Sequence, residues 1–467
     1  MSRLSLYLGA SAIALTLAGP VLAADSSEQL QNRVDDLEAT IDALRAEIAE
    51  IRKTPEFKPS PNFTNTKGDY AFKFRGQIAA DVAAFNVRKG TRDFNDGTQL
   101  RRARLGIDGM IASDWLYRLE VDVGNASRDD NANQEVDVKD AYVQYKGIDQ
   151  TVITVGQHKT PNTLEQAIAS TDLLFTELPL YVEAFTNRTT AGGDYKAGIS
   201  ARYSDVNWTA TLGVFGENFA LNGGGGSTGS GSTYNTTPTY KDEGWGPAAR
   251  LTWAPINGVT ETLHLGVSGY WRETGGRRTI QFRSGPEVSV DSTRLVDTGL
   301  LAARNYSFIG AELAGQYGPL YLQSEYGRTD VSRYRTNVVV QSSPSVTAAG
   351  GSDVSFDGGY VAASWLITGE SREYKDGAFA RPKPAKPFSF KNGGWGAWEV
   401  AARYSTLDLN DGTVLGGKEN NYSLGLNWYP NNYLRLMTDY VRFDVKKGAP
   451  AVQDQGDAFI TRVAVIW

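Results

Sequence analysis

From Tyr70 onward, apolar and polar side chains alternate in short runs separated by turns. Phe72, Phe74, Ile78 and Val82 share one face of the first run, and Lys73, Arg75, Gln77 and Asp81 share the other. Further on, Ala103, Leu105 and Ile107 oppose Arg102, Arg104 and Asp108, and Trp115, Tyr117, Leu119, Val121 and Val123 oppose Arg118, Glu120 and Asp122. A period of two is the signature of a β-strand. In a soluble sandwich the charged face would be the outside. In a transmembrane barrel the apolar face meets lipid and the charged face lines the lumen.

Sixteen such strands are predicted. They start near Tyr70, Thr98, Asp114, Asp137, Gln150, Asp194, Val206, Glu243, Thr260, Asn305, Pro319, Phe356, Trp395, Asn420, Asn432 and Gly456. Short turns such as Ala112-Ser113, Ser204-Asp205, Gly318-Pro319 and Pro430-Asn431 alternate with long loops, among them 159–193, 218–242, 274–304 and 332–355. Short turns on one rim, long loops on the other and an even strand count are the pattern of an outer-membrane barrel with both ends in the periplasm. Residues 369–394 break the parity. Either two strands hide there, or a long periplasmic loop folds back towards the pore. The final run, Gly456 to Trp467, puts Phe459, Thr461, Val463, Val465 and Trp467 on one face and Ile460, Arg462, Ala464 and Ile466 on the other. It reads as the closing strand, paired with the strand near Tyr70, with its terminal ring at the lipid headgroups.

The pattern differs before Tyr70. Leu30, Val34, Leu37, Ile41, Leu44, Ile48 and Ile51 form a heptad seam, with Val34, Ile41 and Ile48 at a and the others at d. Arg33 with Glu38, and Glu47 with Arg52, occupy g and following e positions, so a parallel homo-oligomer gains opposite-charge pairings. Residues 25–53 are therefore expected to form an α-helical coiled coil in the periplasm. β-branched residues at a with Leu at d lean towards a dimer, a bias that a trimeric barrel beside the helices could override. Residues 54–69 form a Pro-containing linker. Residues 1–23 read as a signal peptide, with Arg3, an apolar run from Leu4 to Leu17 and small residues ending at Ala23. No later run is long and apolar enough for a spanning helix. The expected fold is thus all-β: a 16-stranded antiparallel transmembrane β-barrel over 70–467, with an N-terminal α-helical coiled coil.

Composition agrees. The chain has 50 Gly, 23 Tyr, 18 Phe and 10 Trp, no cysteine and a formal charge of −6. An exported chain without disulfides must rely on packing or a closed hydrogen-bond ladder. The charge argues against a nucleic-acid partner, and it does not fix what a pore passes. His158 and His264 lack metal-ligand spacing, and no nucleophile elbow, phosphate-binding loop or zinc-protease helix is present. No enzyme activity, catalytic residue, metal or cofactor is expected.

Several segments together resemble the phosphate-selective porin family. They are Leu100-Arg101-Arg102-Ala103-Arg104-Leu105; Val155-Gly156-Gln157-His158-Lys159-Thr160-Pro161 with Leu164-Glu165; Ile309-Gly310-Ala311-Glu312-Leu313; and Leu366-Ile367-Thr368-Gly369-Glu370 with Arg372 and Tyr374, followed by Gly394-Trp395-Gly396-Ala397-Trp398-Glu399-Val400-Ala401-Ala402-Arg403-Tyr404-Ser405. The resemblance covers about 70–467. It implies a trimeric outer-membrane channel in contact with lipid and lipopolysaccharide, taking up phosphate or polyphosphate through an arginine-lined lumen. It also implies a long periplasmic connection after the Thr-Gly-Glu motif.

Moving an oxyanion needs cations that replace part of its hydration without trapping it. Arginine suits this because it stays charged and forks onto phosphate oxygens. The expected pore-lining residues are Arg102, Arg104, Arg118, Lys159, Arg277, Arg278, Arg283 and Arg294. For the last four the alternative is a solvated loop, and for the strand arginines a structural network with Asp108, Glu120 and Asp122. Two features oppose the anion reading. Gln77 stands where the family typically has arginine. The third long loop also holds Glu165, Asp172, Glu177 and Glu183 against Lys159 and Arg188, so it would slow anions unless its acids point into the wall. The alternatives are a general or sugar-permeable porin, and a structural tether whose coiled coil binds the cell wall.

Overall fold

The computed structural model describes residues 35–42, 62–65, 67–124, 136–187, 194–219, 242–340, 346–391, 393–448 and 452–467. The chain divides into two units, Met1–Pro59 and Ser60–Trp467. In the first unit, residues 35–42 are helical, with Leu37 and Ile41 exposed. The rest of the predicted heptad segment and the predicted signal peptide lie outside the described residues. The described part of the predicted coiled coil is thus this short helix.

In the second unit sixteen antiparallel strands form a closed wall. They are β1 (Tyr70–Lys89), β2 (Gly97–Ile111), β3 (Trp115–Asp122), β4 (Asp137–Ile148), β5 (Thr151–Lys159), β6 (Tyr195–Ser204), β7 (Trp208–Phe215), β8 (Gly246–Asn257), β9 (Glu261–Glu273), β10 (Leu301–Tyr317), β11 (Leu320–Arg333), β12 (Val354–Leu366), β13 (Ala397–Asp411), β14 (Val414–Tyr429), β15 (Leu434–Lys447) and β16 (Val452–Ile466). Each pairs with the next, and β16 returns to β1 with Ile466 opposite Gln77. All sixteen predicted strands are present. The largest offset is at β14, which starts at Val414 rather than near Asn420. There a tight hairpin, with Asp411 opposite Val414, joins the two strands.

The alternation runs inside out relative to a soluble sheet. Leu105, Leu212 and Ile309 are 60%, 63% and 65% exposed, whereas Asp81, Glu312, Arg403 and Arg462 are buried in the interior. An apolar outer face around a polar interior is the arrangement of a barrel set in lipid, and ring closure removes the unpaired edges of the sheet. Closure is completed by Gly76 and Trp467, whose backbone N–H groups donate to each other's carbonyls at 3.0 and 3.1 Å. The Trp467 ring lies over Gly76 where a Cβ would sit. Gly76→Ala should therefore shift that ring and cost about 1–3 kcal/mol. A lower temperature for the heat-dependent mobility shift of the folded barrel would show it, and an unchanged temperature would count against this contact as the seal.

Two connections differ from simple expectation. Asn62–Thr64, inside the predicted linker, forms a short strand on Ala71–Lys73 of β1. Residues 367–396 add no wall strands. They carry a small hairpin, Tyr374–Lys375 with Ala378–Phe379, that folds back from the turn rim into the barrel. This settles the parity exception in favour of the inward loop. From the opposite rim, the loop between β5 and β6 and the loop between β9 and β10 also fold inward. Leu180, Tyr181 and Phe185 of the first pack with Phe282, Leu295 and Val296 of the second against wall residues Phe308, Phe356 and Phe443. Leu164, Ile168 and Leu173 meet Phe379 of the turn-rim hairpin. The hydrophobic core thus sits where three loops meet inside a polar-lined wall.

Candidate anion site inside the barrel

The loop between β5 and β6, the candidate constriction, folds into the barrel, and its backbone is held by wall side chains. Thr163 caps a one-turn helix, Leu164–Ala167, by accepting from Gln166 N–H at 3.2 Å. The Glu325 carboxylate of β11 accepts the Leu164 and Glu165 N–H groups, each at 2.8 Å. Asp439 accepts Thr176 N–H at 2.8 Å, and Arg435 and Asn427 donate to the carbonyls of Thr171 and Leu174.

Two acids of this loop, Glu177 and Glu165, point into the wall. Glu177 accepts from Arg101 at 2.7 and 3.0 Å and from Arg462 at 2.8 Å. Glu165 accepts from Gln323 at 2.7 Å and from the Tyr360 hydroxyl at 3.2 Å. Asp172 pairs with Arg381 of the turn-rim loop at 2.9 Å. Glu165, Asp172 and Glu177 thus anchor the loop, which weakens the objection that their charge raises against anion passage.

Burial raises the Glu165 carboxyl above the ordinary range, against the opposing pull of Arg403 and its hydrogen-bond donors. A raised acid favours the folded loop while protonated, so its contribution is lost as pH climbs above the ordinary carboxylate range. Melting should therefore fall between mildly acidic and mildly alkaline buffer, and Glu165→Gln should flatten that dependence. An equal slope in both proteins would refute the assignment.

The predicted cations separate into two groups. Most are occupied. Arg104 binds Asp122 at 2.8 Å and Ser170 at 3.2 Å. Arg118 binds Asp108 at 2.6 Å and lies 3.5 Å from Asp140. The Lys159 ammonium donates to the Gln166 carbonyl at 2.9 Å. Arg277 lies 3.7 Å from Glu217, and Arg278 stacks 4.4 Å from the Tyr334 ring centre. Arg283 and Arg294 are half-buried in the inward loop. That loop, expected as a funnel or a solvated loop, is instead part of the interior filling. Its Glu287 accepts Leu180 N–H at 3.0 Å and Arg403 at 2.6 Å.

Arg102 is the exception. It is 5% exposed, and its Nε and Nη1 atoms are shielded with no hydrogen-bond partner. Its charged neighbours are Arg101, Arg462, Arg104 and Glu177. The local backbone explains this crowding. Ala79 pairs with Arg102 but Ala80 pairs with Leu100, so Arg101 is the extra residue of a β-bulge. Leu100 stays outside, while Arg101 and Arg102 both turn inward. Strict alternation would send one of them into lipid, which is why Arg101 escaped the sequence reading. Also missed were the inward arginines of the later wall: Arg250 on Glu312 at 2.7 Å, Arg403, Arg435, and Arg372 of the turn-rim loop on Glu399. Their signal was available in the alternation, because each faces opposite the apolar side of its strand or loop anchor.

The Gln77 departure is also resolved locally: its side-chain oxygen accepts from Ser170, which in turn accepts from Arg104. His158 shares a hydrogen bond with Ser200 at 2.7 Å, and His264 is held between Tyr374 and Glu312. Among the described residues no group of three or more His, Asp or Glu side chains could hold a metal ion.

Known proteins give the same architecture. Solved structures with this fold include the anion-selective porin from Comamonas acidovorans, 14% identical with a TM-score of 0.51, covering 85% of this chain and all of that one. The outer membrane channel DcaP of Acinetobacter baumannii is 12% identical with a TM-score of 0.50, covering 87% and 99%. Porin O of Pseudomonas aeruginosa is 24% identical over 453 residues, covering 86% of this chain and 90% of the relative. An uncharacterized Caulobacter vibrioides protein is 30% identical over 400 residues, covering 84% and 72%. The model of the family described as phosphate-selective porin O and P matches residues 72–467, almost the whole sixteen-stranded wall and its inward loops, and the chain belongs to that family of outer-membrane porins.

Proposed function

We propose that this barrel carries small anions passively across the outer membrane, with phosphate or polyphosphate as cargo. The observation that supports it is Arg102, a buried guanidinium with two nitrogens lacking a hydrogen-bond partner, set beside Glu177 and three further arginines where the constriction loop meets the wall. An unpaired buried cation is costly. A transient oxyanion relieves that cost, and the fork geometry of guanidinium suits phosphate oxygens. The sugar-permeable alternative needs aromatic rows open to the lumen. Tyr181, Phe185, Phe308 and Tyr360 are instead packed against one another between the loops, which weighs against it. The homotrimer, contact with lipopolysaccharide, and a cell-wall tether through residues 25–53 remain part of the proposal.

The test is the reversal potential of the purified protein in a planar bilayer under a KCl gradient, followed by added phosphate. An anion-selective potential and phosphate block of the chloride current are expected. Cation selectivity would end the proposal and leave the barrel intact.

A further inference from the structure

The loop 367–396 enters the barrel with one part and leaves it with another. Its first half is locked inside, where Arg372 pairs with Glu399 and Arg250 donates to the Gly377 carbonyl at 2.8 Å. Its second half, from Lys386 to Gly396, runs along the turn rim on the outer side of β13 and β14. There Phe388 packs on Trp428 at 5.2 Å and Phe390 on Phe388 at 4.8 Å. Trp398 stacks on Trp428 at 5.3 Å with an interplanar angle of 20°. Both indole N–H groups, of Trp398 and Trp428, donate to the Trp395 carbonyl, at 3.2 and 2.9 Å. Gly396, at φ 71°, sits where a Cβ would press on the Tyr429 carbonyl and the Trp428 indole. The segment is thus built and held, yet Phe390 is 95% and Trp395 72% exposed. Lys386 and Lys391 are exposed on either side.

We propose that residues 386–391 and 393–396 form a membrane-interface anchor that seats in the headgroup layer of the inner leaflet and prefers anionic phospholipid. The inference rests on the barrel's placement in the outer membrane. Trp398 and Trp428 continue directly into the outward apolar rows of β13 and β14, where Val400, Leu424 and Leu426 face lipid. The exposed aromatic patch is therefore the rimward edge of the lipid-facing surface. Aromatic rings with polar edges belong at that depth, and a large exposed apolar patch held rigidly in water needs an occupant. Flanking lysines reach lipid phosphates from the same position. Because one chain segment joins this anchor to Arg372 and Tyr374 inside, the anchor also fixes the turn-rim hairpin against the constriction loop.

The chain has no cysteine, so single labels are clean. An environment-sensitive fluorophore on Phe390→Cys, in the full-length protein in phosphatidylcholine–phosphatidylglycerol vesicles, should emit at shorter wavelength than in water. It should be quenched by lipid spin-labelled near the headgroup and protected from aqueous iodide. Lys391→Cys serves as a second label site should the first variant fold poorly. Leu424→Cys, in the outward row, should be quenched by a deep acyl-chain spin label. In the Lys386→Gln, Lys391→Gln background, with the label at position 390, the preference for phosphatidylglycerol over phosphatidylcholine should drop about fivefold per lysine, the equivalent of roughly 1 kcal/mol per basic residue at an anionic surface. Iodide access at 390 with lipid quenching at 424 overturns the anchor alone. A label at 390 shielded from both quenchers shows a protein occupant and also overturns it. Loss of lipid quenching at 424 overturns the membrane placement and the anchor with it.

Discussion

Arg102→Gln should raise the phosphate concentration that half-blocks the chloride current by about tenfold to a hundredfold, and it should leave the barrel as stable as before or more so. The first part follows from charge-assisted hydrogen bonds, worth about 1.5–3 kcal/mol each, with tenfold in affinity per about 1.4 kcal/mol. The second follows because two of the Arg102 nitrogens have no partner to abandon, and removing an unpaired buried charge relieves desolvation. That pair of signs sets Arg102 apart from its neighbours. Arg104→Gln would strand Asp122, which Arg104 holds at 2.8 Å, so it should weaken phosphate block and lower the melting temperature together. Arg102→Lys keeps the charge and loses the fork, and its block should lie between wild type and Arg102→Gln. Unchanged half-block in Arg102→Gln would remove this residue from the conduction path.

The wall was legible in the sequence because lipid and lumen impose opposite demands on successive residues, and a two-residue period is hard to imitate by chance over sixteen segments. Strand positions and the closing pair follow from it, whereas for residues 369–394 it left two hidden strands and an inward loop equally open. Leu100 to Arg104 mark the limit. A bulge is a one-residue register change, and nothing in Leu-Arg-Arg-Ala-Arg specifies which arginine is the extra one. The loop residues were harder for another reason. Arg104, Arg118 and Arg277 each sit beside an acid, but a charge assigned to a face says nothing of its partner. Asp122, Asp108 and Glu217 are brought to them by strand register or by a second loop. Among the described residues of the predicted pore set, Arg102 is the one with two shielded guanidinium nitrogens that lack a hydrogen-bond partner, and that remainder emerges from three-dimensional pairing rather than from any local pattern. Glu177 illustrates the converse: by sequence it opposes anions, and by position it organises the arginines that would bind them.

Glu177 therefore carries the second large expectation. Glu177→Gln should cost about 3–5 kcal/mol of stability, because it leaves Arg101 and Arg462 buried without their shared counter-ion. Arg101 loses both of its carboxylate contacts, at 2.7 and 3.0 Å. Arg462 keeps Asp81, which it holds at 2.7 Å from two nitrogens, so closure between β1 and β16 survives while the constriction loop loosens. The electrical effect has the opposite sign. With one negative charge gone beside Arg102, the local potential becomes more positive, and phosphate should block at lower concentration. Arg462→Gln makes the contrast, since it strands Asp81 while Glu177 keeps Arg101, and it should weaken block as well as stability. The double variant Arg101→Gln, Glu177→Gln should regain much of the stability lost in Glu177→Gln, with a coupling of about 0.5–3 kcal/mol between the two sites. Melting followed by heat-dependent mobility and block followed in planar bilayers give the two readouts. If Glu177→Gln weakens phosphate block while the barrel stays folded, Glu177 is not the residue that holds anion-binding arginines in check, and the site around Arg102 is organised differently from the pairing described.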